Sequence, residues 1–457
     1  MAAGVGGASA GGWGGRDVIR HAYSWLAAML SPAVWLRLHW RGRKEPLYRT
    51  AIGERFGRYR EARPTGAVWI HAVSLGETRA AATLVDALRR LDPSMRLLLT
   101  HGTATGRAAG TALLRPGDHQ AWLPWDSAGA TRRFFAQHRP RLGVLMETEV
   151  WPNLLHAAQA AGVPMVLANA RLSERSLRRG ERLRAVLRPA AESVALVLAQ
   201  TEGDAARLRA AGARRVEVCG NLKFDMTPAP ELLALGRRWR DAVGRTVVLA
   251  SSTREGEEAE LLAAWTAQPA PRPLLLVVPR HPQRFDDVAA LVRASGLSMA
   301  RRSAWSDQPP AEAMGADVWL GDSMGEMPLY YALAQVALLG GSFAPLGGQN
   351  LIEAAACGCP VLMGPHTFNF AQAAELSAAA GAARRVASMA EAVTLACAPA
   401  APAERQAQFA RCLAFAAEHR GAAERMAARI ATLLPPLGAG AAADRLVEAS
   451  ARVDTGA

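Results

Sequence analysis

From Val68 onward, short and almost uncharged apolar runs alternate with longer Ala-, Leu- and Arg-rich stretches whose apolar residues recur at helical spacing. The short runs predict buried strands at Val68–Val73, Arg96–Thr100, Leu142–Met146, Met165–Ala168 and Leu196–Ala199. After a gap the pattern restarts at Val247–Ala250, Leu274–Val278, Val318–Gly321, Val336–Leu339 and Val361–Met363. The gap, Met226–Arg245, contains Thr227-Pro228-Ala229-Pro230 and no strand pattern, so residues 226–245 read as a linker. A chain of 457 residues suits two domains of about 200 residues each. The prediction is therefore an α/β protein of two doubly wound domains, 45–225 and 246–457, facing a cleft. In such sheets ligands bind beyond the carboxyl ends of the strands, so the loops there are where chemistry is sought.

Ahead of this pattern, residues 1–15 are rich in Gly and Ala. Ala22–Leu36 is mostly apolar, with Trp25 and Trp35, and is interrupted by Ser31-Pro32. It is shorter than the roughly 20 residues that span a bilayer. Arg37, Arg41, Arg43 and Lys44 follow it, then Arg49, Arg55, Arg58 and Arg60. A secretory signal carries its basic residues before the apolar run, not after it. Residues 1–44 thus read as an extension plus a membrane-associating helix on an anionic cytoplasmic leaflet. The alternative is an amphipathic helix packed on the protein's own core. The net charge of +13 is one-sided: residues 1–230 hold 33 Lys and Arg against 18 Asp and Glu, and the remainder 20 against 22. That asymmetry asks for an anionic partner of the first half, whether nucleic acid, an acidic membrane or a phosphorylated substrate. Five scattered cysteines, with Cys357 and Cys359 one residue apart, fit a reducing compartment and no structural metal.

The strand-end loops carry the candidate chemistry. Val68–Val73 turns through Ser74-Leu75-Gly76 into a helix opened by Glu77, with no G-x-G-x-x-G or G-K-[ST] phosphate motif. A helix N-terminus favours an ionised acid, so Glu77 is either a general base or a helix cap. Leu142–Met146 runs into Glu147-Thr148-Glu149-Val150-Trp151-Pro152-Asn153; extended geometry would put both acids on one side. After the run ending at Cys219 stands Gly220-Asn221-Leu222-Lys223-Phe224-Asp225, where Lys223 is the only lysine of the first half beyond Lys44. A compact cation suits a carboxylate or phosphate oxygen. In the second half, Ser251–Glu257 places hydroxyls where they cap a helix or bind phosphate. Two prolines hold Arg280 and His281, Gly321–Glu326 follows another strand, and Gly347-Gly348-Gln349-Asn350 leads into a helix sharing a face with Glu353.

Together these residues resemble the bacterial 3-deoxy-D-manno-octulosonic acid (Kdo) transferases of lipopolysaccharide synthesis. The resemblance runs from about Ala22 through Arg41–Lys44, His71–Glu77, Met146–Asn153, Ala168–Ser173, Gly220–Asp225, Val278–Pro282, Gly321–Glu326 and Met363–Phe370. It implies a GT-B fold of two Rossmann-like domains, with the donor CMP-Kdo, the lipid A precursor (lipid IVA) as acceptor, and an inverting reaction at the cytoplasmic face of the inner membrane. It implies no cofactor, no metal and no nucleic acid. By resemblance Glu77 is the general base, and Glu147 and Lys223 support the transition state. Arg280, His281, Met324, Gly325, Glu326, Asn350, Leu351, Ile352 and Glu353 contact CMP. Two departures stand out: Gln349 where relatives have His, and Leu351-Ile352 in place of Pro-Leu. Other readings of the same layout are a UDP-sugar epimerase or transferase, or an inactive basic membrane-binding relative.

Overall fold

The computed structural model describes residues 15–59 and 65–434. Residues 1–14 of the extension, and Arg60 of the basic block, lie outside the described residues. The chain divides into two compact units: one runs to Asp225 and resumes at Gly421, the other spans Met226–Arg420.

The first unit holds β1 (Val68–His71), β2 (Leu97–His101), β3 (His119–Trp122), β4 (Leu142–Met146), β5 (Met165–Ala170), β6 (Leu196–Ala199) and β7 (Val216–Val218). They form one sheet in the order β3-β2-β1-β4-β5-β6-β7, with every neighbouring pair parallel. The second unit holds β8 (Val247–Thr253), β9 (Leu274–Pro279), β10 (Met299–Arg301), β11 (Val318–Leu320), β12 (Val336–Leu339), β13 (Val361–Met363) and β14 (Ala383–Arg385). Their order is β10-β11-β9-β8-β12-β13-β14, again all parallel. Parallel strands need crossover connections, here helices, and these bury the central strands on both faces. β1, β2 and β4 are buried at every residue. The strand order turns back between β1 and β4 in one sheet and between β8 and β12 in the other, the crevices where ligands bind in such sheets.

All ten predicted strands are present. Absent from those ten are β3, β7, β10 and β14, the four sheet edges, of which only β7 falls in a run noted in the sequence, the one ending at Cys219. Two corrections concern the domain bounds. Residues 226–245 are not a linker: Pro230–Val243 is a helix packed within the second unit on the helix Met327–Leu333. Pro230 stands in its first turn and Gly244 closes it in a left-handed conformation. Gly236 allows the approach, since a Cβ there would lie 2.3 Å from the Leu329 carbonyl. Nor does the second domain keep the chain to its end. The helix Ala422–Ala431 returns to the first unit, burying Ala422, Ala423, Met426, Ala427 and Ile430 in the core shared with Ala80, Leu84 and Leu88. Asp225 caps it, its carboxylate accepting the backbone N–H groups of Gly421, Ala422 and Ala423.

The N-terminal segment forms the helices Gly15–Met29 and Ser31–Arg41. Part of it docks on the first unit: the Tyr23 hydroxyl donates to Asp126 (2.8 Å), Ser24 to Asn153 (2.7 Å), and Trp125 Nε1 to the Ala27 carbonyl (2.6 Å). Yet Trp25, Leu26, Met29, Trp35, Leu36 and Trp40 remain 46–74% exposed, and Arg37, Arg43 and Lys44 beside them are exposed too. Among the described residues no helix is long and apolar enough to cross a membrane.

Candidate active site

β1 delivers the chain to Ser74, which caps the helix Leu75–Leu91. The Ser74 hydroxyl accepts the Glu77 N–H, while the Glu77 carboxylate accepts the Val73 N–H at 2.8 Å and the Ser74 hydroxyl at 3.1 Å. This reciprocal arrangement is a variant of the capping box, in which Glu77 accepts the amide before the N-cap and not that of Ser74 itself. Burial pushes the Glu77 carboxyl up to about 7, with the Val73 hydrogen bond opposing and the charges of Glu147 and Glu149 reinforcing the shift. The expectation that the helix N-terminus keeps Glu77 fully ionised is thereby corrected. One pKa unit is about 1.4 kcal/mol, so a rise from 4.5 to about 7 outweighs the roughly 0.3–1 kcal/mol a helix end supplies. A carboxylate that titrates near neutrality is matched to general-base work.

Glu147 lies just past β4 with φ +58°, its N–H donating to the Ala168 carbonyl at 2.9 Å. The strand ends at Met146, so the extended alternation expected to pair Glu147 with Glu149 does not continue. Glu149 instead accepts from Trp151 Nε1 at 2.6 Å and lies 4.0 Å from Nε2 of His71. His71 is fully buried on β1, with Nδ1 2.9 Å from the Thr100 hydroxyl. Burial pushes His71 down to about 3, so it is a neutral neighbour of Glu149, not an ion-pair partner. Burial also raises Glu149 above the usual carboxylate range.

Lys223 is half-buried in the turn Leu222–Asp225, which packs on the helix opened by Glu77. Its N–H donates to the Asn221 side chain at 3.0 Å. The preceding Leu222 N–H donates to Asn169 Oδ1 at 3.1 Å. Asn169, fully buried within β5 at φ +53°, is missing from the predicted site. The signal was present: an Asn inside the apolar stretch Met165–Ala170. Glu147, Asn169 and Ser252 (φ +54°) are non-glycine residues in the left-handed region at the carboxyl ends of β4, β5 and β8. Such strain persists where surrounding structure over-determines it, commonly at functional sites.

In the second unit, β8 continues to Thr253, so Ser251 and Thr253 do not start a helix as expected. Ser251 donates to the Leu338 carbonyl, and Thr253 to Glu258. Arg280 and His281 follow β9, both exposed. His281 is held below its ordinary range, by desolvation first and then by Arg254, Arg280 and Arg284. Arg254 belongs to this cationic group and was not among the predicted residues. Met324 is 66% exposed beside Gly325, whereas Glu326 accepts from Arg302 at 2.7 Å and from Ser323. Asn350 caps the helix Leu351–Ala356, accepting the Ile352 N–H at 3.2 Å. Leu351 and Ile352 are 1% exposed, so their side chains belong to the core, and the Ile352 N–H is taken by the Asn350 cap. Glu353 is half-buried on the same short helix.

Two parallel α/β units, one with acids and a lysine at its strand ends and the other with arginines, have the architecture of the GT-B fold. The solved structure of Anabaena HepE in complex with UDP aligns over 80% of this chain and 99% of its own, with a TM-score of 0.53 at 15% identity, a likeness of fold. Residues 50–226 match the family model described as 3-deoxy-D-manno-octulosonic-acid transferase (kdotransferase). The 3-deoxy-D-manno-octulosonic acid transferase of Bordetella pertussis is 50% identical over 90% of this chain and 97% of its own. That of Haemophilus influenzae is 36% identical over 77% and 83%. The chain belongs to the Kdo transferase family.

Proposed function

We propose that this protein transfers Kdo from CMP-Kdo to the phosphorylated lipid A precursor, with inversion, at the cytoplasmic surface of the inner membrane. Glu77 takes the proton from the acceptor sugar hydroxyl as that oxygen attacks the anomeric carbon, and CMP departs. Glu147 and Lys223 support the transition state in the first unit. Arg280 offsets charge on the leaving phosphate and donor carboxylate, and His281, Met324, Gly325, Glu326, the Asn350 cap, the Leu351 backbone and Glu353 bind the cytidylate. The observation that carries the reading is a Glu77 carboxyl brought to about 7 at the β1–β4 crevice, within a family of Kdo transferases. The exposed tryptophans and basic residues of 25–44 support attachment to an anionic leaflet, and the basic first half suits a phosphorylated acceptor.

The test is mass spectrometry of the lipid product after incubation with CMP-Kdo and the lipid A precursor, beside thermal stabilisation by CMP and by UDP. Added Kdo and preference for CMP are expected. Preference for UDP with no Kdo product contradicts the proposal and favours a UDP-sugar enzyme.

A further inference from the structure

Glu257 and Glu258, adjacent and 2% and 1% exposed, are buried carboxylates with no part in the chemistry above. Buried charge is costly unless it is hydrogen-bonded or paired: Glu257 is held by backbone amides, and Glu258 by a hydroxyl and an arginine through one oxygen, its Oε2 being buried with no hydrogen-bond partner. The Glu257 carboxylate accepts four backbone N–H groups: Arg254 (2.9 Å), Gly341 (2.7 Å), Phe343 (3.2 Å) and Ala344 (3.4 Å). It thus ties the loop after β8 to the glycine loop after β12. Glu258 accepts from the Thr253 hydroxyl at 2.7 Å and from Arg284 at 2.6 Å, tying the end of β8 to the loop that carries Arg280 and His281. The backbones meet closely at the same place. A Cβ at Gly340 would lie 2.3 Å from the Ser252 carbonyl, and Ser252 itself is at φ +54°.

The amides of Gly341, Phe343 and Ala344 are therefore already engaged by an internal carboxylate, and do not form an open cradle for phosphate. We propose that Glu257 and Glu258 are positioning residues that hold the loops after β8, β9 and β12 in their donor-binding shape before any donor arrives. This rests on the reading that the second unit binds CMP-Kdo. Were the loops loose, the apparent donor affinity would fall in proportion to the fraction of molecules with the loops formed. Once donor was bound, turnover would be unaffected. Replacing the Glu257 carboxylate by an amide leaves one acceptor oxygen for four donors and turns an NH2 group towards some of them.

The experiment pairs amide hydrogen exchange on the wild-type protein with calorimetry and kinetics on Glu257→Gln. In ligand-free wild type the amides of Gly341, Phe343 and Ala344 should be protected, and CMP should add little to that protection. In Glu257→Gln their exchange should rise, and the Kd for CMP and KM for CMP-Kdo should both increase about tenfold, with kcat at saturating donor retained. A purely structural role would instead lower kcat through a reduced active fraction and leave KM unchanged, and that result overturns the proposal. So does free exchange of the three amides in wild type until CMP is added, a measurement that stands even if the variant fails to fold. Wild type that binds no CMP at all overturns the donor assignment, a separate outcome.

Discussion

Glu77 reaches back over one turn of chain to accept the Val73 N–H at 2.8 Å, and this bond opposes the burial that raises its carboxyl to about 7. A cap alone gains nothing from such burial. A base gains a proton affinity suited to neutral solution.

Turnover at saturating donor should therefore rise with pH through about 7 as Glu77 loses its proton. Glu149→Gln removes one of the neighbouring charges that raise Glu77, so the acid limb of the profile should move to lower pH. A pH–rate profile of the two proteins checks this; an unmoved limb would separate Glu149 from the titrating group.

The same shift has a stability consequence. The folded pKa, about 7, lies above the ordinary 4.5, so the stability tied to the protonated form is complete below about 4.5 and is lost as pH rises through about 7. Glu77→Gln carries no such charge and can still accept the Val73 N–H as a capping-box residue. Its melting temperature relative to wild type should climb between pH 5 and pH 8. Parallel melting curves across that interval would argue against a buried, titrating carboxylate.

Glu147 and Asn169 illustrate what the sequence conveyed and what it withheld. The apolar runs revealed every central strand because burial on both faces leaves no room for polar residues. The edges β3 (His-Gln-Ala-Trp), β10 (Met-Ala-Arg) and β14 (Ala-Arg-Arg) pair with one neighbour only, are partly exposed and carry polar residues, so no run marks them. Glu147 was visible as an acid past a strand, but its left-handed backbone was not, because no Gly or Asn announces it. Asn169 acts by accepting an amide from a residue 53 positions away, a relationship that local pattern does not encode. The crossing of Ala422–Ala431 back to the first unit was hidden for the same reason: its stripe of Ala, Met and Ile fits either unit.

That crossing makes a distinct prediction. Met426 and Ile430 are fully buried against the helix Leu75–Leu91, and a large-to-Ala change at such a site costs about 2–5 kcal/mol. Ile430→Ala should therefore destabilise the first unit, with protease sensitivity appearing in residues 65–225 before 226–420. The reverse order would return the helix to the second unit.

For the membrane, the docked residues Tyr23, Ser24 and Ala27 make wholesale deletion a poor probe. Trp25→Ser combined with Trp35→Ser alters only exposed side chains. Sedimentation with anionic vesicles should fall sharply while the melting temperature holds. Arg37→Gln with Lys44→Gln should weaken binding further and flatten its salt dependence, each charge near an anionic leaflet being worth about 1 kcal/mol. Undiminished sedimentation of the tryptophan variant would remove this segment from membrane attachment.

Glu147→Asn tests the strained acid, since Asn tolerates the left-handed backbone that Glu147 occupies at φ +58°. Stability should hold or rise while turnover falls, the pattern of a residue kept for function at the expense of local strain. Full turnover would leave the strain at Glu147 without a catalytic reason.

The most direct measurement is the turnover of Glu77→Gln with CMP-Kdo and lipid A precursor, alongside calorimetric binding of CMP. Loss of the general base predicts a fall of about 10²–10⁴-fold in kcat, with CMP affinity unchanged on the proposal that the nucleotide binds the second unit. Near-normal turnover with normal CMP binding would contradict the account and leave Glu77 as a helix cap.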